Sequence, residues 1–309
     1  MRVFVAGATG VLGRKTVELL VKAGHEVLGT ARTPEKAEAL RSLGAEPVTV
    51  DLFDPAAVRE AVAGSDAVVH LATKIPPIMK MRAAKNWREN DRLRREATKN
   101  LADAAMAANA QALVAESITF IYGDGGDAWI DEGFPVKTAW VALDSTLDLE
   151  REVARFAEGG GRGVVLRFGL FYSPDAQSTQ DSVKMMRRRM FGVMGDGQNY
   201  FSSIHVDDAA AAVVAALTAP SGTYNVAEDD PSTQMAYAQA CAEAFGLPKP
   251  RRFPRWLAKL FMGGPANYIL QSQRVSSRKF KEATGWAPQY PSVREGFKQA
   301  AEVMEARPR

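Results

Sequence analysis

The chain has 309 residues, 46% hydrophobic and 24% charged, so a substantial core can form, and disordered, collagen-like and coiled-coil classes are excluded. Thirty-nine basic residues against 36 acidic ones leave a formal charge of only +3, scattered along the chain, which argues against a nucleic-acid-binding stripe. The single cysteine, Cys241, excludes a disulfide framework and a cysteine-ligated metal site.

Residues 1–6 (MRVFVA) run straight into a strand, and no apolar run of roughly eighteen residues follows. The expectation is a soluble, cytoplasmic protein with no membrane or nucleic-acid partner. Through residue 170, short β-branched runs alternate with helical periods, the pattern of an α/β, Rossmann-type doubly wound parallel sheet. Strands are predicted at 3–6, 26–30, 47–50, 67–71, 112–115 and 163–168. Asp54 and Pro55 mark a helix start, as N-cap and first helical residue, with Val58 and Val62 on its apolar face. Residues 90–109 read as one long alanine-rich helix, and 150–157 continue another. Beyond Phe168 the rhythm breaks. Residues 173–180 read as a polar loop, and Val183, Met186 and Met190 fall at helical spacing opposite Arg187, Arg188 and Arg189. The sheet resumes at 204–206, a helix follows at 208–218, and a last strand lies at 223–226. The expected division is a dinucleotide-binding domain of residues 1–172 plus about 203–228, and a substrate lobe of about 173–202 and 229–309.

The first strand ends in Gly7-Ala8-Thr9-Gly10-Val11-Leu12-Gly13, and the helix after it carries Val17, Leu20 and Val21 before Gly24 closes it. Glycines at this spacing let the backbone turn sharply and approach a pyrophosphate, while the helix N-terminus offers free N–H groups to it. The bland alternative is a turn chosen only for close packing. At the end of the second strand, Gly29-Thr30-Ala31-Arg32 carries no acid to accept from a ribose 2′-hydroxyl. Arg32 can instead pair with a 2′-phosphate, and Arg14 sits in a first helical turn where a cation opposes the helix dipole unless an anion is close. Together they predict NADP(H) over NAD(H), although either alone reads as a solvated surface residue. Asp51 and Leu52 follow the third strand, where they can meet the adenine; Asp51 can equally just open the next turn. His70-Leu71-Ala72-Thr73 ends the fourth strand, and the small residues leave room for the cofactor ribose.

These stretches, with Asn90, ESITFIYG after the fifth strand, LRFGLFY after the sixth, GDGQNYFSSIHVDD and the late SSRKFKEATGWAP, resemble the short-chain dehydrogenase/reductase superfamily. The similarity is to its extended and atypical branches, which include nucleotide-sugar epimerases and dehydratases. The resemblance implies a parallel sheet of about seven strands, a C-terminal substrate lobe, a small-molecule substrate and homodimers formed through two helices. It also implies a serine, and a tyrosine and lysine spaced YxxxK, with the lysine lowering the tyrosine pKa during hydride transfer.

The sequence departs from that chemistry. Against the pattern YxxSKLxxE, the stretch 142–150 keeps Ser145, Leu147 and Glu150 but has Ala142 for the tyrosine and Thr146 for the lysine. No YxxxK occurs between residues 120 and 170. Ser117, also near the cofactor, and Thr119 are candidates for the serine role; a hydroxyl satisfied by nearby backbone is the alternative. Tyr122 and Tyr172 are candidate replacement acids, with Lys74 as a cation that could activate one. His205 reads as structural, with Asp207 or Asp208 capping the helix that follows. Three readings stay open: an NADP(H)-dependent oxidoreductase or epimerase-like enzyme with a nonstandard proton donor, acting on a small carbonyl compound or nucleotide sugar; a catalytically silent NADP(H)-binding sensor; and a non-redox enzyme reusing the cleft.

Overall fold

β-Branched runs bounded by glycine turns pair side by side because both faces of each strand can be buried under helices. The computed structural model describes residues 1–76, 80–137, 143–264 and 266–306. In chain order the first half holds β1 (Arg2–Ala6), α1 (Val11–Lys22), β2 (Glu26–Thr30), α2 (Pro34–Ser42), β3 (Glu46–Val48), α3 (Pro55–Val62) and β4 (Ala67–His70). Then come α4 (Arg88–Arg92), α5 (Thr98–Ala107), β5 (Ala112–Ile118), β6 (Trp129–Ile130), α6 (Asp144–Glu158), β7 (Arg162–Phe168) and β8 (Leu170–Tyr172). The rest comprises α7 (Gln177–Arg187), β9 (Gly192–Met194), β10 (Tyr200–Phe201), β11 (Ser203–His205), α8 (Val206–Ala216) and β12 (Gly222–Val226). It ends with β13 (Ser232–Thr233), α9 (Gln234–Ala244), β14 (Arg251–Phe253), α10 (Arg255–Met262), α11 (Ala266–Ile269), β15 (Arg274–Val275), α12 (Arg278–Thr284) and α13 (Val293–Glu305).

Seven of these strands form one parallel sheet in the order β3-β2-β1-β4-β5-β7-β12. Strand order reverses between β1 and β4, and the crevice beyond the strand C-termini at such a reversal is where this architecture receives a dinucleotide. One face of the sheet packs Val17 and Leu20 of α1 against Ala209 and Val213 of α8. The other buries Val58 and Val62 of α3, Leu101 of α5, and Leu149, Val153 and Phe156 of α6. As the sequence requires, Asp54 caps α3 by accepting from Ala56 N at 2.9 Å, and Pro55 is its first residue.

A separate core joins Val183 and Met186 of α7 to Met235, Ala238 and Cys241 of α9 and to Phe297 and Ala301 of α13. The C-terminal chain also returns to the sheet. Phe280 and Trp286 join the core under α1 and α8, and the buried Asp208 carboxylate accepts from Gln289 N at 2.7 Å and Tyr290 N at 3.0 Å.

Five local expectations are corrected: β11 pairs with β8 in a separate two-stranded sheet and does not rejoin the main one, and residues 177–180 open α7 and are not loop; the other three concern helices. Residues 90–109 do not form one uniform helix, because a π-turn at Leu93–Ala97 separates α4 from α5. Met190 lies past the end of α7 and is 66% exposed, so only Val183 and Met186 face the core. The cap of α8 is His205 itself, whose Nδ1 accepts from Asp207 N at 3.2 Å, while Asp208 holds the C-terminal chain.

Candidate cofactor and substrate site

At the end of β1 the chain turns through Gly7 with φ +84°, a conformation that favours glycine. A Cβ there would come within 2.6 Å of the Leu71–Ala72 backbone, and one on Gly13 would stand 2.0 Å from the Gly7 carbonyl oxygen. Gly7 N donates to Thr30 Oγ1 at 2.9 Å and Gly10 N to Gly7 O at 3.0 Å, which ties the turn to β2. Helix α1 starts at Val11 with no side-chain cap and no acid in its first turn, so the N–H groups of Val11, Leu12 and Gly13 have no carboxylate competing for them. Thr9 is half-buried beside them, and Arg14 is exposed one residue on. This cradle fits a pyrophosphate.

Arg32 is 70% exposed at the end of β2, and the acid that approaches it, Glu89 of α4, stays 3.9 Å away. Such an exposed, loose pair is worth little and leaves the guanidinium open to a phosphate. Glu89 is distant from β2 in sequence and comes near Arg32 only in the folded chain. Asp51 is exposed, and its Oδ1 accepts from Phe53 N at 3.0 Å, so part of the carboxylate serves the turn. Leu52 is half-buried, with its carbonyl taken by Asn100 Nδ2 at 3.0 Å. Across the reversal, Leu71 is buried, with its N–H on Ala6 O at 2.8 Å, and Ala72 and Thr73 line the half-buried edge that follows.

His70 ends β4 inside the protein. Its Nδ1 accepts from Ala72 N at 3.4 Å, which leaves Nε2 to donate to Leu93 O at 3.2 Å, a carbonyl belonging to the π-turn. Burial pulls the imidazole down to about 4, so it is neutral at pH 7.

At the C-terminal ends of β5 and β7 the structure assembles a polar network that sequence reasoning missed. Glu150 of α6 takes Arg167 of β7 in a two-point contact, Nε at 2.8 Å and Nη2 at 2.6 Å. Ser117 Oγ donates to the same carboxylate at 2.7 Å. Arg167 Nη1 donates to Tyr122 Oη at 2.8 Å, and Tyr122 Oη donates to Asn225 Oδ1 at 2.8 Å. The Arg167 guanidinium favours ionisation of Tyr122, but burial outweighs it and raises the phenol above its ordinary value. Beside this network Arg94, from the π-turn, donates to Thr146 Oγ1, and Ser145 Oγ donates to Asp91 Oδ1 at 2.9 Å. Glu116, buried at the end of β5, is pushed up to about 7 by desolvation, against the pull of Arg94. Charged residues inside otherwise apolar strands, Glu116 in AES and Arg167 in LRF, were the available signal.

The four candidate catalytic side chains are therefore not equivalent. Ser117 and Tyr122 are engaged as described. Tyr172 is fully buried in the lobe core, with its ring 4.7 Å from Phe297 and 5.3 Å from His205 and its hydroxyl directed at Ser292 O at 3.5 Å; burial raises its pKa. It is a packing residue. Thr119, on the turn after β5, is buried with a hydroxyl that has no partner among the described residues. Ala142 lies outside the described residues. Lys74 is exposed, and its backbone N–H donates to Asn90 Oδ1 at 3.0 Å. Open grooves of about 430 and 500 Å³ lie elsewhere, around α12 beside Trp129, Arg278 and Glu132. No helix among the described residues is long and apolar enough to cross a membrane.

A Streptomyces protein named 3-diazoavenalumate denitrifying reductase is 33% identical, over 96% of this chain and 99% of its own. The human epimerase family protein SDR39U1, solved with NADPH, superposes with a TM-score of 0.77 at 25% identity, over 98% of this chain and 99% of that one. UDP-glucose 4-epimerase from Thermotoga maritima, solved with UDP-glucose, shares the fold with a TM-score of 0.81 at 20% identity, over 99% of both chains. The model of the NAD-dependent epimerase/dehydratase family matches residues 3–227, and it is to this family of nicotinamide-cofactor proteins that the chain belongs.

Proposed function

We propose that this protein is an NADP(H)-dependent reductase of a small organic carbonyl compound. The observation that carries the reading is the uncapped glycine cradle flanked by two exposed arginines, Arg14 and Arg32. In this reading the N–H groups of Val11, Leu12 and Gly13 hold the pyrophosphate, and Arg14 and Arg32 take the 2′-phosphate. Asp51 and Leu52 border the adenine, and Ala72 and Thr73 the nicotinamide ribose. When bound, NADPH supplies a hydride. Ser117, Thr119, Tyr122 and Tyr172 are all fully buried, so in this reading the proton for the substrate oxygen comes from water.

Reduction is favoured over epimerisation on chemical grounds. Oxidising a substrate alcohol needs a base near neutral pH; none of Ser117, Tyr122 and Tyr172 is free to act as one, and Glu116, pushed up to about 7, is buried away from a substrate. Reduction ends with protonation of a strongly basic oxygen, which water can accomplish. The name of the Streptomyces relative and the NADPH in the human structure support the same direction.

The test is NADPH oxidation at 340 nm across aldehydes, ketones, quinones and aryl diazo compounds. Turnover is expected with at least one of the carbonyl classes, and oxidation by the diazo compounds alone would contradict the carbonyl reading. Tight NADPH binding with no oxidation by any class would favour the silent sensor instead, a reading supported by the internal engagement of Ser117.

A further inference from the structure

The three most exposed large apolar side chains among the described residues, Met190, Trp256 and Leu260, stand 66%, 62% and 54% open to solvent. The fold gathers them. Met190 leads into β9, which pairs with β14 so that Gly192 lies opposite Arg251, and α10 follows β14 and packs back on β9. Arg255 closes the join, since a Cβ on Gly195 just past β9 would come within 2.9 Å of its Cγ. Trp256 and Leu260, one helical turn apart, share a face of α10, while Ala258 on the opposite face is fully buried. The helix thus turns bulky apolar residues outward, the reverse of a surface helix that packs them on a core.

The same surface is basic without a balancing acid. The chain as a whole carries nearly as many acids as bases, yet no Asp or Glu occurs between Asp181 and Asp196 or between Glu243 and Glu282. Within those stretches Arg187, Arg188, Arg251, Arg252 and Arg255 are exposed, and none forms an ion pair among the described residues. Exposed Arg82 joins them from a third acid-free stretch, between Asp66 and Glu89, with Nη1 reaching Leu260 O at 3.5 Å. A lone exposed leucine needs no explanation, but a group of protruding apolar side chains set among unpaired cations marks a contact surface.

We infer that α10 and the Arg187–Met190 turn form a docking surface for an anionic lipid bilayer, on which the protein lies without crossing it. The arginines meet lipid phosphates, the Trp256 indole suits the headgroup level, and Leu260 and Met190 reach the acyl boundary. Nucleic-acid phosphates would leave these apolar side chains wet, and a folded protein partner would need a shaped pocket for each. A bilayer receives them without pockets. The expectation of no membrane partner rests on the lack of a spanning segment, and a surface contact needs none.

The test is co-sedimentation of the full chain with vesicles of phosphatidylcholine, alone or with roughly a quarter phosphatidylglycerol, at low and high salt. The unaltered protein should bind the anionic vesicles at least about tenfold more tightly than the neutral ones, and lose most of that binding at high salt. Trp256→Ser with Leu260→Ser should weaken binding by at least about tenfold with Tm unchanged or raised, and Arg251→Glu with Arg252→Glu should do likewise. Lys22→Glu with Arg59→Glu makes the same change of charge on α1 and α3, which pack on the large sheet, and should leave binding within about twofold. No binding to anionic vesicles, equal binding to both kinds, equal loss in the α1 and α3 variant, or failure of the Trp256 and Leu260 variant to fold would overturn the inference. Two further controls separate other partners. Capture by polyglutamate that is undiminished in the Trp256 and Leu260 variant, together with weak vesicle binding, would assign the surface to an acidic protein. Self-association without lipid that this variant abolishes would assign it to a second copy of the chain, and either result would overturn the bilayer.

Discussion

At the β1–α1 turn the chain is shaped by backbone that glycine permits, whereas at the ends of β5 and β7 charged side chains are buried together. Gly7, Gly10 and Gly13 belong to one stretch of seven residues, and their geometry follows from the absence of a Cβ. Arg94, Glu116, Glu150, Arg167 and Asn225 come from widely separated stretches and meet only in the folded chain. The first kind of site tolerates no added atom but depends on few partners. The second tolerates changes of shape yet fails when one charge loses its complement.

That contrast can be broken from either side. The largest effect is expected at Gly13→Ala, whose Cβ would meet the Gly7 carbonyl oxygen at 2.0 Å. Displacing the turn should remove measurable NADPH binding, seen by calorimetry, and cost about 1–3 kcal/mol in urea unfolding. Undiminished binding would mean that the cradle is not the phosphate site. At the other end, Glu150→Gln leaves Arg167 buried without its countercharge. It should lower unfolding free energy by about 3–5 kcal/mol, and adding Arg167→Met should restore most of that. No recovery in the double variant would show that packing, and not charge matching, governs this end.

A smaller, pH-dependent effect belongs to Glu116. Its folded value of about 7 lies above the ordinary 4.5, so between those limits the folded protein holds a proton that the unfolded chain releases. Its contribution is therefore most favourable below pH 4.5 and is lost as pH rises through 7. Glu116→Gln should gain stability over the unaltered protein as pH increases across that window, by the order of 1–3 kcal/mol, in urea titrations at pH 5 and pH 8. A difference independent of pH would contradict the buried, proton-holding state.

The same contrast explains what could be read in advance. Strand β2 occupies residues 26–30 as the apolar run indicates, and the cap-and-proline signal of Asp54 and Pro55 identifies the start of α3, because both are local features. Strand β5 runs on to Ile118, past the predicted end at Ala115, since Glu116 and Ser117 interrupt the apolar run yet are buried by partners distant in sequence. Helix α6 begins at Asp144, earlier than its apolar period suggested, and the π-turn at Leu93–Ala97 left no trace in an alanine-rich period. Around the candidate site, the tight glycine turn and the exposure of Arg32 are legible as local features. The engagement of Ser117 by Glu150 was not, and neither was the burial of Tyr172 by the lobe core, since both depend on long-range packing.

The central claim, a crevice built for the 2′-phosphorylated cofactor, is tested most directly by titrating NADPH and NADH into the unaltered protein and into Arg32→Asp. The account predicts far tighter binding of NADPH by the unaltered protein. It also predicts a loss of at least about tenfold for NADPH in Arg32→Asp, with NADH affinity changed little. Equal affinity for the two cofactors, or an equal loss of both in the variant, would contradict it.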